Sequence, residues 1–542
     1  MHRSTLAKRA WLLLIIAAAL SYGYGLGRAP LVGADEPRYA EVAREMYVRG
    51  DAVTPTLGGH TWFEKPALPY WLAMASYGLF GVSEQSARLG ACCAGLLTLL
   101  LLGVLAGTVE QQADESLRGY RLVATATAAT SAGLMVFARA LNFDIFITAA
   151  TTGALVCFLL AELKEEKRAA RLALAGFYSL MGVGLLAKGL LGIVLPCGVI
   201  GCYYLLRRSW PPFLTTLLWG LPLMCAVAAV WYAPVIARHG RTFINEFFIQ
   251  HHFARYVSNK YHHPQPFYFY PPVLALMALP WTAFLVAALV RARKWHWRGD
   301  AATDRLRVYA FAWVVVPVAF FSLSGSKLPG YILPALPGAA LLAGARLTQY
   351  FNGGDGIRAM RATGVLLLLF VAGLLGYELR AWPISLLCTL LVAAAPLAAG
   401  LCAVLRPQAR QWCAWGVVAA AFAVVVIIAA CALGPATRRD SVRDLFRQAD
   451  ARGYASAPVY GLHTIERTAE FYAAGRLAYD QQGEPVMYDW VGYVMQAART
   501  HDGPVLVIVP DEYVWQLTGY SSLICDVVGS NGRVALVAAR AR

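Results

Sequence analysis

The chain has 542 residues, 58% of them hydrophobic and 14% charged, against about 45–50% apolar and 25% charged in an average soluble domain. That composition argues against a soluble enzyme. With 47 Lys+Arg and 31 Asp+Glu the net charge is +16, an excess compatible with nucleic acid, anionic lipid or membrane topology until the charges are located. Of the eleven cysteines all but Cys525 fall within or beside apolar stretches, and no CxxC pattern occurs. They read as small buried hydrophobes.

Crossing about 30 Å of hydrocarbon takes roughly 20 apolar residues in a helix. The first such run, 11–25, follows Arg3, Lys8 and Arg9 and lacks a convincing small-residue cleavage site, so it reads as a retained signal anchor. Further runs lie near 88–109, 121–138, 145–162, 171–187, 189–206, 213–236, 269–290, 306–323, 331–346, 363–378, 384–405 and 412–433. A shorter one, 68–82, decides the sidedness of everything after it. If it does not cross, the loops carrying Arg118, Lys164, Arg207, Arg291, Arg358 and Arg406 share the cytoplasmic side with the basic N-terminus. If it crosses, they face away from it. The segment is therefore expected to lie along the outer interface, with Tyr70, Trp71, Tyr77 and Phe80 at headgroup depth.

The resulting fold class is an α-helical integral membrane protein of about thirteen transmembrane helices with its C-terminus outside. The span-bearing domain runs over 1–435 and includes two outer loops, 28–87 and 237–268. From 436 to 542 the composition becomes that of a soluble domain. There 441–451 and 489–498 read as helices, and 458–461 and 505–509 as strands, in a small α/β module.

With that topology the informative polar residues fall on the outer face. In GADEPRYAEVARE, Asp35 and Glu36 follow a membrane span, and the plainest account of Asp35 is as the N-cap of a helix. Phe63-Glu64-Lys65-Pro66 returns this loop to the interface. Asp144 in ARALNFD also invites a capping account, yet a carboxylate near hydrocarbon is expensive unless it faces a polar cavity. Lys188 is a single cation between two apolar runs, either snorkelling or functional. The loop 237–268 holds His251, His252, Arg255 and Tyr256; adjacent histidines can ligate metal, but without a second fixed spacing surface histidines are the commoner case. Lys327 and Tyr331 in SGSKLPGYILP suit either an interfacial anchor or a site. Lys65, Lys188, Arg255 and Lys327 thus come from four distant parts of the chain to one membrane surface, beside Asp35, Glu64 and Asp144. Cations there suit a lipid phosphate, and acids suit a sugar's hydroxyl or amino groups or an acceptor to be deprotonated. This points to glycosyl transfer from a lipid-phosphate carrier.

The segments GADEPRYAEVARE, FEKPALPYWL, ARALNFD, LLAKGLLGIVLP, FFIQHHFARY and SGSKLPGYILPALP resemble, over about 10–350, the bacterial aminoarabinose transferase family, which moves 4-amino-4-deoxy-L-arabinose from undecaprenyl phosphate to lipid A. That group is related to protein O-mannosyltransferases within the GT-C glycosyltransferases. The resemblance implies thirteen spans, interfacial helices in the first periplasmic loop, a small periplasmic C-terminal domain and residence in the bacterial inner membrane with a periplasmic active site. By position it implies that Asp35, Asp144 and the Glu64-Lys65 pair are catalytic, and that Lys65, Lys188, Arg255, Lys327 and Tyr331 surround the carrier phosphate. Glu36, Arg38, Tyr39 and Tyr256 are further candidates for substrate contact. It also implies a divalent ion near Glu64 and His251 or His252, no other cofactor being required. One departure is that many relatives read His-Asn where this chain has His251-His252.

The expected reaction is displacement at the anomeric carbon, the carrier phosphate leaving while Lys65, Lys188 and Arg255 stabilise its charge. A lipid A phosphate acceptor is already ionised, whereas a Ser or Thr hydroxyl would make Asp35 a general base. The expected partners are the lipid-linked donor, lipid A or lipopolysaccharide and membrane lipids, with a monomeric chain and no nucleic acid. The alternatives are a polyprenyl-phosphate-sugar transferase acting on another envelope glycan or on protein, and a lipid-linked sugar flippase, the last disfavoured because the charges gather at one interface rather than at mid-bilayer.

Overall fold

The computed structural model describes residues 2–210, 212–254, 265–381, 384–501 and 503–542. The chain is mostly helical and divides into two compact units. The first comprises Met1–Tyr24, Glu64–Pro69 and Arg88–Ile428, and the second Gly25–Phe63, Tyr70–Ala87 and Ala429–Arg542. The outer loop 28–87, expected inside the span-bearing domain, thus falls largely in the same unit as the C-terminal module.

Among the described residues, nine helices in the chain are long and apolar enough to cross a membrane, from Glu84–Gln112 through Phe143–Leu163 and Lys167–Lys188 to Arg410–Asp440. Other expected spans have a different form. The run 121–138 is two helices, Tyr120–Ala129 and Ala132–Phe137. The run 269–290 is likewise divided into Tyr270–Met277 and Thr282–Val290, and Leu191–Arg207 has 17 residues. The two interruptions satisfy each other. Ala132 N–H donates to the Leu279 carbonyl at 2.8 Å, and Trp281 Nε1 donates to Thr130 Oγ1 at 2.8 Å. Non-helical backbone at this depth is tolerated because its polar groups are paired inside protein. Elsewhere in this unit buried ring donors find spare carbonyls in the same way. Tyr309 Oη donates to Leu155 O at 2.9 Å and Trp313 Nε1 to Pro334 O at 2.8 Å.

In the second unit, Asp35–Arg49 is a 15-residue helix. It is followed by the two-strand hairpin β1 (Thr56–Leu57) and β2 (His60–Thr61). Glu45 closes that hairpin, accepting from Gly58 N–H at 2.6 Å and Thr56 Oγ1 at 2.5 Å. Leu68–Phe80, which belongs to this unit from Tyr70 onward, is a helix of 13 residues, about 20 Å long at 1.5 Å per residue and too short to span hydrocarbon.

The C-terminal module follows its predicted elements: helices Arg443–Ala451 and Val491–Thr500, and strands β3 (Val459–Leu462) and β5 (Val505–Pro510). The remaining strands are β4 (Met487–Tyr488), β6 (Leu523–Ser530) and β7 (Val534–Ala541), in spatial order β4-β3-β5-β7-β6. Pairing is parallel among β4, β3 and β5 and antiparallel across β5, β7 and β6. One face of this mixed sheet packs on Leu445, Phe446 and Ala469, and the other on Val491 and Val494. One cysteine expectation needs correction. Cys388 and Cys431 are each disulfide-bonded, so these two are not free apolar side chains.

Candidate active site

In the first unit the helix Phe143–Leu163 carries Asp144 in its first turn, but Asp144 does not cap it. Asn142 holds the cap position, with Oδ1 accepting from Ile145 N–H at 2.9 Å and Nδ2 donating to the Phe137 and Ala140 carbonyls at 2.7 Å each. The capping account of Asp144 is thereby overturned. Asn is among the best N-caps, and its place two residues ahead of Asp144 was the signal available in the sequence.

The freed Asp144 carboxylate pairs with Lys188, the last residue of helix Lys167–Lys188; their side chains are 16% and 12% exposed. Lys188 therefore does not merely snorkel. Its ammonium also lies over the Tyr331 ring, 4.6 Å from the centroid, a cation–π contact. Gly189, at φ 66° and ψ −143°, ends the helix in a conformation that other residues rarely adopt. Residues 144, 188 and 331, spread over nearly two hundred positions, thus form one cluster.

Gly330 is the residue that sequence reasoning missed. A Cβ there would lie 2.3 Å from Asp144 Oδ2 and 2.8 Å from Phe137 Cε1, so only glycine leaves the carboxylate its place. Tyr270 joins the same neighbourhood, with Oη donating to the Leu328 carbonyl at 3.3 Å and its ring 6.0 Å from Phe321, which in turn lies 5.7 Å from Tyr331. Lys327 is buried and donates to the Ser324 carbonyl at 2.6 Å. Lys65 donates to Glu64 Oε1 at 2.6 Å, the two side chains being 12% and 15% exposed.

Asp35, Glu36, Arg38 and Tyr39 belong to the second unit. Asp35 opens its helix, with Ala34 in the cap position and no side-chain cap bond. The N-cap account of Asp35 is thus replaced by an exposed carboxylate in the first helical turn. Glu36 is buried and accepts from Val32 N–H at 3.4 Å. Arg38 pairs with Glu470 at 3.3 Å and lies over the Trp62 ring at 5.1 Å. Tyr39 is buried edge-on to Tyr70, 6.4 Å between centroids. Arg255 and Tyr256 lie outside the described residues, and so do the side chains of His251 and His252. Among the described residues no three His, Cys, Asp or Glu side chains gather as a metal site, and Glu64 is engaged by an ammonium. With the histidine half of the implied ion site outside the described residues, no step is derived through it.

The comparisons with known proteins place this many-helix chain, with its largely enclosed Asp144–Lys188 pair beside Tyr331, among membrane-embedded glycosyltransferases. Residues 10–296 match the family model described as dolichyl-phosphate-mannose-protein mannosyltransferase. The undecaprenyl phosphate-alpha-4-amino-4-deoxy-L-arabinose arabinosyl transferase of Pseudomonas aeruginosa (strain UCBPP-PA14) is 34% identical over 418 residues, covering 75% of this chain and 73% of that one. Its namesake in Yersinia pestis (strain Pestoides F) is 32% identical over 343 residues, 62% of this chain and 58% of that one. The crystal structure of ArnT from Cupriavidus metallidurans bound to undecaprenyl phosphate superposes with a TM-score of 0.76 at 25% identity, covering 97% of this chain and 98% of that one. The chain belongs to the bacterial aminoarabinose transferase family.

Proposed function

We propose that the chain transfers 4-amino-4-deoxy-L-arabinose from undecaprenyl phosphate to a phosphate of lipid A, at the periplasmic face of the inner membrane. The observation that carries this reading is the Asp144–Lys188–Tyr331 cluster: a desolvated ammonium held in place by a carboxylate and a ring, suited to a phosphate arriving from the lipid phase. An acceptor phosphate oxygen attacks the anomeric carbon as the bond from that carbon to the carrier oxygen breaks, and the bonding pair leaves on the carrier phosphate. Lys188, with Lys65, Lys327, Tyr331 and Arg255, stabilises that charge; Asp144 fixes Lys188, and Asp35 orients the amino sugar. No general base is needed, because the acceptor is already ionised.

The topology proposed is thirteen crossings, with the C-terminal domain in the periplasm. The two disulfide-bonded cysteines support it. Cys388 is the third residue of Leu386–Leu405 and Cys431 follows Arg410–Ile427, so both sit at the ends away from the basic loop of Arg406 and Arg410, on the side where disulfides persist. The test is transfer by the purified full chain in proteoliposomes holding the lipid-linked donor and lipid A. Release of carrier phosphate with modified lipid A is expected, and Lys188→Ala should reduce kcat by about 10²–10³. Flipping of the donor without transfer would overturn the proposal.

A further inference from the structure

Asp35 is exposed and makes no hydrogen bond or ion pair among the described residues, and the cap position before it is an alanine. No partner fixes the carboxylate itself, and within its own helix end the first turn is tied back by the long bond that Glu36 accepts from Val32 N–H at 3.4 Å. The chain on either side of it, however, is gripped from one short helix of the C-terminal module, Ala469–Tyr472. Four residues before Asp35, Leu31 N–H donates to Tyr472 Oη at 2.7 Å. Three residues after it, Arg38 Nε donates to Glu470 Oε2 at 3.3 Å.

Both gripping groups are themselves fixed. The Glu470 carboxylate is fully buried and its other oxygen accepts from Arg467 Nη1 at 2.9 Å. Tyr472 Oη in turn donates to Glu84 Oε1 at 3.2 Å. A four-residue helix has no stability of its own, but Ala469 and Ala473 lie in the core that packs on β3 and β5, so the rigidity comes from the sheet.

We propose that this helix positions Asp35 for the transfer reaction, with Glu470 and Tyr472 as positioning residues that act through the 31–38 segment. The C-terminal module is then part of the catalytic apparatus rather than an appendage. The proposal rests on the reading of Asp35 as a site carboxylate. A carboxylate displaced by about 1 Å at a reacting centre costs on the order of 10²-fold in rate, so loss of one of the two grips from this helix should lower kcat by about tenfold.

The experiment uses the full chain reconstituted with the lipid-linked donor and lipid A, and compares Tyr472→Phe, Glu470→Gln and Asp35→Asn. Tyr472→Phe removes the acceptor for Leu31 N–H while keeping the ring in its packing. It should raise amide exchange across 31–38 by about tenfold with melting within about 2 °C of wild type, and lower kcat about tenfold with donor KM within about twofold. Glu470→Gln, if it folds, should show the same split; if it does not, Tyr472→Phe alone decides. Looser exchange with unchanged kcat, or a kcat loss explained by melting, would overturn the positioning role. Wild-type turnover by Asp35→Asn would instead sink the reading of Asp35, and the inference with it. Low turnover by Asp35→Asn beside normal turnover by Tyr472→Phe would overturn the inference alone.

Discussion

Replacing Gly330 by alanine tests whether the geometry of Asp144 matters to the chemistry, without touching any charged group. Gly330 is not in the left-handed backbone region, so alanine meets no conformational penalty and the whole effect is steric. Its Cβ would stand 2.3 Å from Asp144 Oδ2 and 2.9 Å from Cγ. Non-bonded heavy atoms settle at about 3.5 Å, so the carboxylate must move by about 1 Å. The Phe137 ring at 2.8 Å crowds the new methyl from another side. A shift of that size breaks the pairing that seats Lys188, and misplacement on this scale costs on the order of 10²-fold in rate. Overpacking should cost stability as well, about 1–3 kcal/mol. Turnover is measured in proteoliposomes with the lipid-linked donor and lipid A, and corrected for the folded fraction by thermal melting. Gly330→Ala with wild-type kcat would refute the reasoning, because the Asp144–Lys188 pair could then be displaced at no cost.

Other outcomes follow from the same structure. Asn142→Ala should destabilise the protein by about 1–2 kcal/mol through loss of the helix cap, read as a drop in melting temperature; an unchanged melt would return the capping role to Asp144. In denatured, unreduced protein Cys388 and Cys431 should resist maleimide while the nine free cysteines react. Labelling of all eleven before reduction would contradict the disulfide bonding of these two and the outward sidedness it supports. Burial raises the Glu41 carboxyl from 4.5 to about 7, against the bidentate bonds it accepts from Arg44 at 2.5 and 2.6 Å. Its folded value exceeds its unfolded one, so the stabilisation is complete below about pH 4.5 and is lost as pH rises through about 7. Melting of the full chain between about pH 5 and pH 8 should show this fall, and Glu41→Gln should flatten it; an equal slope in the variant would contradict the assignment.

Much of the site could be read from the sequence because a lone charge in an apolar run has few inexpensive explanations. Asp144 and Lys188 were each singled out by that cost, and they turn out to compensate each other. The spans were legible as apolar runs, and the soluble module's first helix and strands as local patterns. Interruptions at Thr130 and Leu279 were not, because apolar composition is the same on both sides of a break and the compensating hydrogen bond joins residues about 150 positions apart. Gly330 escaped for the same reason, its requirement being set by a carboxylate nearly two hundred residues away. Glu470 and Tyr472 sit more than four hundred residues from the segment they hold, and no local signal marks them. The β6–β7 hairpin was missed because β6 mixes buried and exposed positions irregularly, with a register shift between Val527 and Gly529.

The central claim is that this chain places aminoarabinose on lipid A, with Lys188 seated by Asp144 as the group that receives the carrier phosphate. Its most direct measurement is the mass spectrum of lipid A from cells that make the lipid-linked donor but lack a transferase of their own, carrying either this chain or its Lys188→Ala variant. The account predicts lipid A heavier by one aminodeoxypentose with the native chain and little or none of that species with the variant. Lipid A of unchanged mass in cells where the native chain is present and folded would contradict it.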